Sequence, residues 1–115
     1  MRTGELKHLI SVEQRGTAKD AHGQPVESWE PVLPQVYASV RPAGGNERVR
    51  AMQMGVELSH VVTVRYREEF NDPLQMAARR IRFGERLLGI TASRNLDEGN
   101  LWIVMDCIEG PINGQ

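Results

Sequence analysis

The chain of 115 residues has the length of one small domain, so we expect a single core and no second domain. Fourteen Lys and Arg against fifteen Asp and Glu give a net charge of −1, which argues against an autonomous nucleic-acid-binding protein, because those usually carry a clear basic excess. The single cysteine cannot form an internal disulfide, and the sequence has neither a signal-peptide pattern nor an apolar run of membrane-spanning length, so we expect a cytoplasmic protein without a membrane partner.

The N-terminal part predicts a strand followed by a polar loop. Residues 6–14 alternate loosely between apolar and polar side chains, which is typical of a strand. Residues 15–25 contain two glycines and a proline and offer almost nothing to bury. We therefore expect this segment to form a mobile loop or hairpin tip.

The next segment predicts a bent strand. Residues 26–30 and 35–41 have strand character, but Pro31 and Pro34 lie between them. Because proline has no amide donor, we expect the two prolines to interrupt the ladder and to favour an edge position.

A short helix is predicted after that strand. Asn46 is a good N-cap residue, and residues 46–56 show helical spacing of apolar side chains that would turn Val49, Met52 and Val56 toward the sheet. The remaining side chains include two arginines and a methionine, residue types enriched at interfaces. The candidate contact residues on this helix are Arg48, Arg50 and Met54; the alternative is a helix that only plugs the barrel and exposes Met54 by chance.

The second half predicts the remaining strands. Residues 60–67 alternate most clearly, and residues 78–83 alternate before a tight turn at Gly84. A strand over residues 86–93 and a second turn lead to residues 101–109, whose apolar side chains on both faces predict a central or covered strand. Residues 110–115 are expected to form a frayed tail.

Together these elements predict a mainly β domain spanning residues 1–115. The fold class is a small β-barrel or rolled antiparallel sheet of about six strands, in which the one short α-helix covers an opening.

The motifs of catalysis and metal binding are missing. The three histidines are far apart and lack ligand-spaced neighbours, and Gly44-Gly45 is not followed by the Lys and Ser or Thr of a phosphate loop. Cys107 lies in an apolar strand, where a thiol is usually inert. We therefore predict no catalytic residue, metal or cofactor, and a protein that is not an enzyme.

The charged residues leave several interpretations open. Residues 36–90 have nine Arg and six acids, whereas residues 91–115 have one Arg and four acids; opposite local charges suit head-to-tail packing of copies, or form an unevenly charged solvated surface. Asp106, amid apolar neighbours, is a candidate for an ion pair with a neighbouring copy or a simple exposed residue.

Two pairs of arginines are candidates for contact with DNA phosphates. They lie at alternate positions of two predicted strands and would face outward, and they form one basic patch if the two strands are neighbours: Arg65, Arg67, Arg80 and Arg82. Solvated faces or subunit contacts are the more ordinary interpretation. If the arginines do bind DNA, the alternative function is a small nucleic-acid-binding β-barrel of the oligonucleotide-binding type, which the scarcity of aromatic residues opposes.

The order and spacing of the segments resemble the small head-tail adaptor proteins of tailed bacteriophages and prophages, also called head closure or head-tail joining proteins. The likeness is carried by residues 1–13, 20–25, Val36-Tyr37-Ala38-Ser39-Val40-Arg41-Pro42, residues 60–67, Arg82-Phe83-Gly84-Glu85-Arg86, Ile90, Arg94-Asn95 and residues 102–109. Leu88 departs from the pattern, since an aromatic residue is expected there.

The resemblance implies a structural protein that assembles in the host cytoplasm and becomes part of the virion connector. It would form a homo-oligomeric ring below the portal, help to close the DNA channel and dock the tail. Its partners would be other copies, a portal or adaptor protein above and a tail protein below, with at most nonspecific contact with DNA. Within the predicted loop, the candidates for contact with the channel or a neighbour are Lys19, Asp20, His22 and Gly23.

Overall fold

The computed structural model describes residues 6–110, which form a closed antiparallel barrel of six strands. The strands are β1 (His8–Arg15), β2 (Trp29–Pro42), β3 (His60–Arg65), β4 (Arg80–Phe83), β5 (Arg86–Asn95) and β6 (Trp102–Glu109). Their order around the barrel is β1-β2-β3-β6-β5-β4, and β4 pairs with β1 to close it. The predicted fold class is confirmed. Residues 111–115 of the predicted frayed tail lie outside the described residues.

Because neighbouring strands are antiparallel, each connection between strands lies at one or the other end of the barrel. Residues 16–28, 66–79 and 96–101 lie at one end, which we call the hairpin end. Residues 43–59 and 84–85 lie at the other end, which we call the helix end. The two helices of the described residues are α1 (Gly45–Gln53) at the helix end and α2 (Pro73–Met76) at the hairpin end.

The barrel interior is filled by aliphatic side chains and by two side chains from the connection between β3 and β4. Phe70, from the 3₁₀ turn Glu68–Phe70, and Met76, from α2, are fully buried in the core. The inward strand residues of the same cluster are Ile10, Val12, Ala38, Val62, Val64, Ile81, Leu88, Ile90, Ile103, Met105 and Cys107. β6 lies between β3 and β5, which confirms the central position predicted for it.

The structure corrects the predicted role of α1. Its residues are all at least partly exposed, and Val49 and Met52, predicted to face the sheet, are 54% and 71% exposed. The side chains that enter the core come from residues 66–79 instead. Helical spacing identifies an apolar face, but it does not show whether the barrel of the same chain covers that face.

The prediction that prolines divide β2 is also wrong. β2 is one continuous strand of 14 residues. Its partner β3 pairs only with residues 38–42, and the ladder to β1 has register shifts on both sides of Val12. Pro31 and Pro34 therefore lie where β2 has one partner strand and where the pairing is irregular, which is where strands tolerate proline.

The polar segment between β1 and β2 forms a hairpin tip. The Asp20 carboxylate accepts hydrogen bonds from the backbone amides of His22 (2.9 Å) and Gln24 (3.0 Å). Gly23 has a φ of +79°, a conformation that favours glycine. Residues 17–26 are all exposed, and their mobility stays a prediction.

Candidate interaction surface

α1 is fixed to the barrel by its first turn. The helix begins after Gly44, which is the N-cap in place of the predicted Asn46. The Glu47 carboxylate accepts a hydrogen bond from the Gly44 amide (2.8 Å) and two from the Arg41 guanidinium of β2 (2.8 Å each). This contact holds the helix against the barrel through charge rather than through a buried apolar face.

The hydrogen bonds from Arg41 and the Gly44 amide lower the pKa of Glu47 to about 2, from an ordinary value of 4.5. Because the folded-state pKa is depressed, the ionised carboxylate stabilises the helix above about pH 4.5, and this contribution is lost as the pH falls toward 2. The side chain is 36% exposed, so we expect the contribution to stay below about 1 kcal/mol.

We expect Glu47→Gln to reduce the helix population of residues 45–53 at neutral pH, and the difference from the parent to vanish between about pH 4.5 and 2. NMR chemical shifts of these residues report the population directly. Glu57→Gln is the matched control, because Glu57 is exposed and has no ion-pair partner among the described residues. A difference that stays constant down to pH 2 would contradict the role given to Glu47.

α1 and its C-cap residue Met54 expose large apolar side chains together with arginines. We call this set of exposed residues the helix surface: Arg48, Val49 (54% exposed), Arg50, Met52 (71%) and Met54 (76%). Large exposed apolar side chains grouped on one element and bordered by charge are typical of a protein–protein interface. Single exposed apolar residues need no explanation, but two on one nine-residue helix and a third at its C-cap do.

The structure brings together three of the four predicted interface residues. Arg50 and Met54 line a cleft between α1 and strands β5 and β6, and Asp106 lines the same cleft from β6. The Asp106 carboxylate accepts two hydrogen bonds of 3.2 Å from Arg94 of the same chain, so it has an internal partner. Arg94 was not a predicted site residue, because the predicted strand ended at residue 93; in the structure β5 continues to Asn95 and pairs Arg94 with Val104, two residues from Asp106.

The four arginines proposed to face phosphates do not form one patch. Arg65 ends β3 and Arg67 follows it, whereas Arg80 and Arg82 lie on β4, and two strands separate β3 from β4 in either direction around the barrel. Arg67 lies 4.0 Å from the carboxylate of Glu69, and Arg65 lies over the Trp102 ring.

The structure also corrects the prediction that Arg80 faces outward into solvent, because this residue is only 7% exposed. Its Nε donates to Glu13 Oε1 at 2.8 Å, and its guanidinium carbon lies 4.1 Å from the centre of the Trp29 ring. Arg82 contacts the same carboxylate at 3.2 Å. Both arginines therefore join β4 to β1, and Arg80 also contacts the Trp29 ring of β2.

The predicted contact residues of the loop lie far from α1. Lys19, Asp20, His22 and Gly23 are all exposed at the tip of the hairpin end, whereas α1 lies at the helix end. The two candidate regions are thus at opposite ends of the barrel and can contact different neighbours.

The described residues contain no group of three or more His, Cys, Asp or Glu side chains that could hold a metal ion. Cys107 is fully buried, and this burial raises its pKa, so its thiol stays protonated and unreactive. No helix of the described residues is long and apolar enough to cross a membrane.

Comparison with known proteins adds a family and two structural neighbours. A family model described as "Phage head completion protein" matches residues 1–110. The solution structure of a protein from Shigella flexneri 2a is 24% identical, with a TM-score of 0.71 over 98% of this chain and 100% of that chain. A chain from the virion of a native gene transfer agent particle is 21% identical, with a TM-score of 0.59 over 90% of this chain and 94% of that chain. No curated protein matches the sequence.

Proposed function

Because the chain belongs to the family of phage head completion proteins, we propose that it forms a homo-oligomeric ring below the portal, helps to close the DNA channel and docks the tail. The observation that carries this proposal is the helix surface. A 115-residue domain that leaves Val49 and Met52 of α1 and the C-cap residue Met54 exposed has a surface suited to a further protein. In this proposal the protein is not an enzyme; it assembles in the host cytoplasm and its role is that of a structural part of the particle.

The opposite ends of the barrel suggest a division of contacts. We assign the helix surface to a neighbouring subunit or to the portal or adaptor protein. The hairpin tip, with Lys19, Asp20, His22 and Gly23, is assigned to the channel or to a neighbour, because a polar, exposed tip can be ordered by contacts that assembly supplies. A tail protein would then bind the completed ring.

Direct binding of DNA has less support than subunit contact. Arg80 and Arg82 share Glu13 as a partner, and Arg67 lies near Glu69, so their charges are already partly balanced. A phosphate groove would require cations that track a backbone along one face. We therefore keep only nonspecific contact with DNA in the channel as part of the proposal.

The test is a double variant, Arg50→Glu with Met54→Asp, introduced into a phage or prophage that depends on this protein. Both side chains are exposed, so we expect the free energy of unfolding to change by no more than about 0.5 kcal/mol per site. Particle assembly should nevertheless fall sharply, because carboxylates would replace the cation at residue 50 and the apolar side chain at residue 54 and remove the contacts that these make with the neighbouring protein.

Lys7→Glu with Leu9→Asp is the matched control for the double variant. It makes the same kinds of change at exposed positions near the start of β1, and Leu9 is 44% exposed. The control should assemble like the parent. If the α1 variant folds and assembles as well as the control, the helix surface is not an interface.

A further inference from the structure

We propose that the helix surface of one copy binds an acidic, leucine-bearing surface at the hairpin end of the next copy. This acidic surface consists of Leu74, Leu96, Asp97, Glu98 and Leu101. The inference rests on the proposed function, since it specifies which parts of two copies would meet in the ring.

Two connections form the acidic surface at one corner of the barrel. Leu74 belongs to α2, and Leu96 and Leu101 belong to the connection between β5 and β6. The Asn95 side-chain amide donates to Asn100 (2.7 Å) and lies 3.4 Å from the Asn71 side-chain oxygen, which links the two connections. The contact between Asn95 and Asn71 connects the end of β5 to the residue before the N-cap of α2.

Two of the three leucines of the acidic surface have exposed fractions comparable to those of Met52 and Met54. Leu74 is 85% exposed, Leu101 is 65% exposed and Leu96 is 38% exposed. The molecule therefore has two separate apolar surfaces, one at each end of the barrel. Two such surfaces on one subunit are what head-to-tail association requires.

The carboxylates at this corner are held in position by the backbone. Asp97 and Glu98 both have positive φ angles, 54° and 51°, which are uncommon for residues other than glycine. The Asn100 amide donates to the Asn95 side chain at 3.0 Å and helps to fix this turn. Strained turns of this kind are found at sites of function more often than elsewhere.

The charges of the two surfaces are complementary. Among the described residues, Asp97 and Glu98 have no ion-pair partner, and neither do Arg48 and Arg50. Pairing helix surface with helix surface in a two-fold dimer would bring arginines together, which costs energy. Pairing helix surface with acidic surface brings unlike charges together beside apolar contacts, so the favoured occupant is a second copy bound head to tail.

Such an interface is heterologous, because each copy contributes a different surface to each contact. Repeated contacts of this type give a ring when the rotation between copies closes and an open filament when it does not. The same contact therefore accounts for ring growth without a further binding site.

Cross-linking tests the geometry. We would introduce Met54→Cys and Leu101→Cys singly and together, and treat concentrated protein with a short bis-maleimide. Native Cys107 is fully buried and stays unreactive. The double variant should give a ladder of dimers, trimers and higher oligomers. Each single variant alone should stay uncross-linked, and a mixture of the two should give dimers that contain both chains.

Charge reversal tests the chemistry independently. Arg48→Glu with Arg50→Glu, and Asp97→Lys with Glu98→Lys, should each weaken association about tenfold or more. An equimolar mixture should recover association, because each variant then offers a surface that matches the other. Asp97→Asn with Glu98→Gln replaces the second variant if lysine disturbs the turn, and it should weaken association to a lesser extent.

The outcomes separate the two proposals. If the parent enters particles as a ring but residues 54 and 101 give no ladder and changes at residues 97 and 98 have no effect, this inference is overturned while the proposed function stands. If the parent never associates and particles form without it, the proposed function itself fails. Dimers from Met54→Cys alone would show two-fold pairing of α1 and would also overturn the head-to-tail contact.

Discussion

Replacing Glu13 by glutamine is expected to lower the free energy of unfolding by about 3 to 5 kcal/mol. Glu13 and Arg80 are 8% and 7% exposed, and their side chains are joined by a hydrogen bond of 2.8 Å across the β1–β4 seam. Glutamine has nearly the same shape but no charge. The variant would leave the Arg80 guanidinium buried against Trp29 without its carboxylate.

Urea unfolding followed by tryptophan fluorescence measures this loss, because Trp29 lies next to Arg80. Glu109→Gln is the matched control. The Arg86–Glu109 pair has two hydrogen bonds of 2.8 Å, but its side chains are 46% and 33% exposed, so water can replace the lost interaction. We expect a much smaller loss in the control, and equal losses would show that burial does not set the cost.

A double-mutant cycle locates the effect within the seam. Arg80→Met removes the buried positive charge that Glu13→Gln leaves without a partner, and it keeps much of the apolar bulk of the side chain. In the Glu13→Gln background it should recover part of the stability lost by Glu13→Gln alone, because well-packed apolar groups can replace a buried ion pair. A cycle without coupling would place the destabilisation elsewhere, for example in the contact of Glu13 with Arg82.

This seam also shows how far strand alternation carries a prediction. Alternation correctly places Ile81 in the core and Arg80 on the opposite face. It does not show whether that opposite face meets solvent, and here it is covered in part by Trp29 from β2. The covering residue lies 51 positions earlier in the chain, so the local pattern around Arg80 contains no sign of it.

The strands were more predictable than the packing of the connections. The turn at Gly84, whose φ is +64°, and the apolar faces of β3 and β6 follow from local side-chain patterns. The barrel order does not follow from them, because β6 inserts between β3 and β5, and this separates arginines that the sequence placed on possible neighbours. Residues gathered by long-range pairing, such as Asp106 with Arg50 and Met54, are close only in the folded chain.

The helix itself was predicted correctly, but the packing predicted for its apolar face was wrong. The spacing of Val49 and Met52 identified a helix with an apolar face, and the structure confirms the helix while leaving that face uncovered. The core instead takes Phe70 and Met76 from the segment between the strands predicted over residues 60–67 and 78–83. The same apolar spacing occurs in a helix that packs on its own core and in a helix that packs on another protein, so the sequence alone does not distinguish the two. Because the apolar face of α1 has no partner within the chain, we assign α1 to an interface.

Phe70→Ala should therefore destabilise the protein by about 3 to 5 kcal/mol, the usual cost of removing a fully buried aromatic side chain. Met52→Ala on α1 should change the free energy of unfolding by no more than about 0.5 kcal/mol, since Met52 is 71% exposed. Urea unfolding of both variants compares the two segments directly. Leu74→Ala, 85% exposed and only two residues from Met76, controls for local effects in α2 and should also be near neutral. A large loss for Met52→Ala with a small one for Phe70→Ala would mean that α1, and not residues 66–79, covers the barrel core, and it would remove the basis for treating the helix surface as an interface.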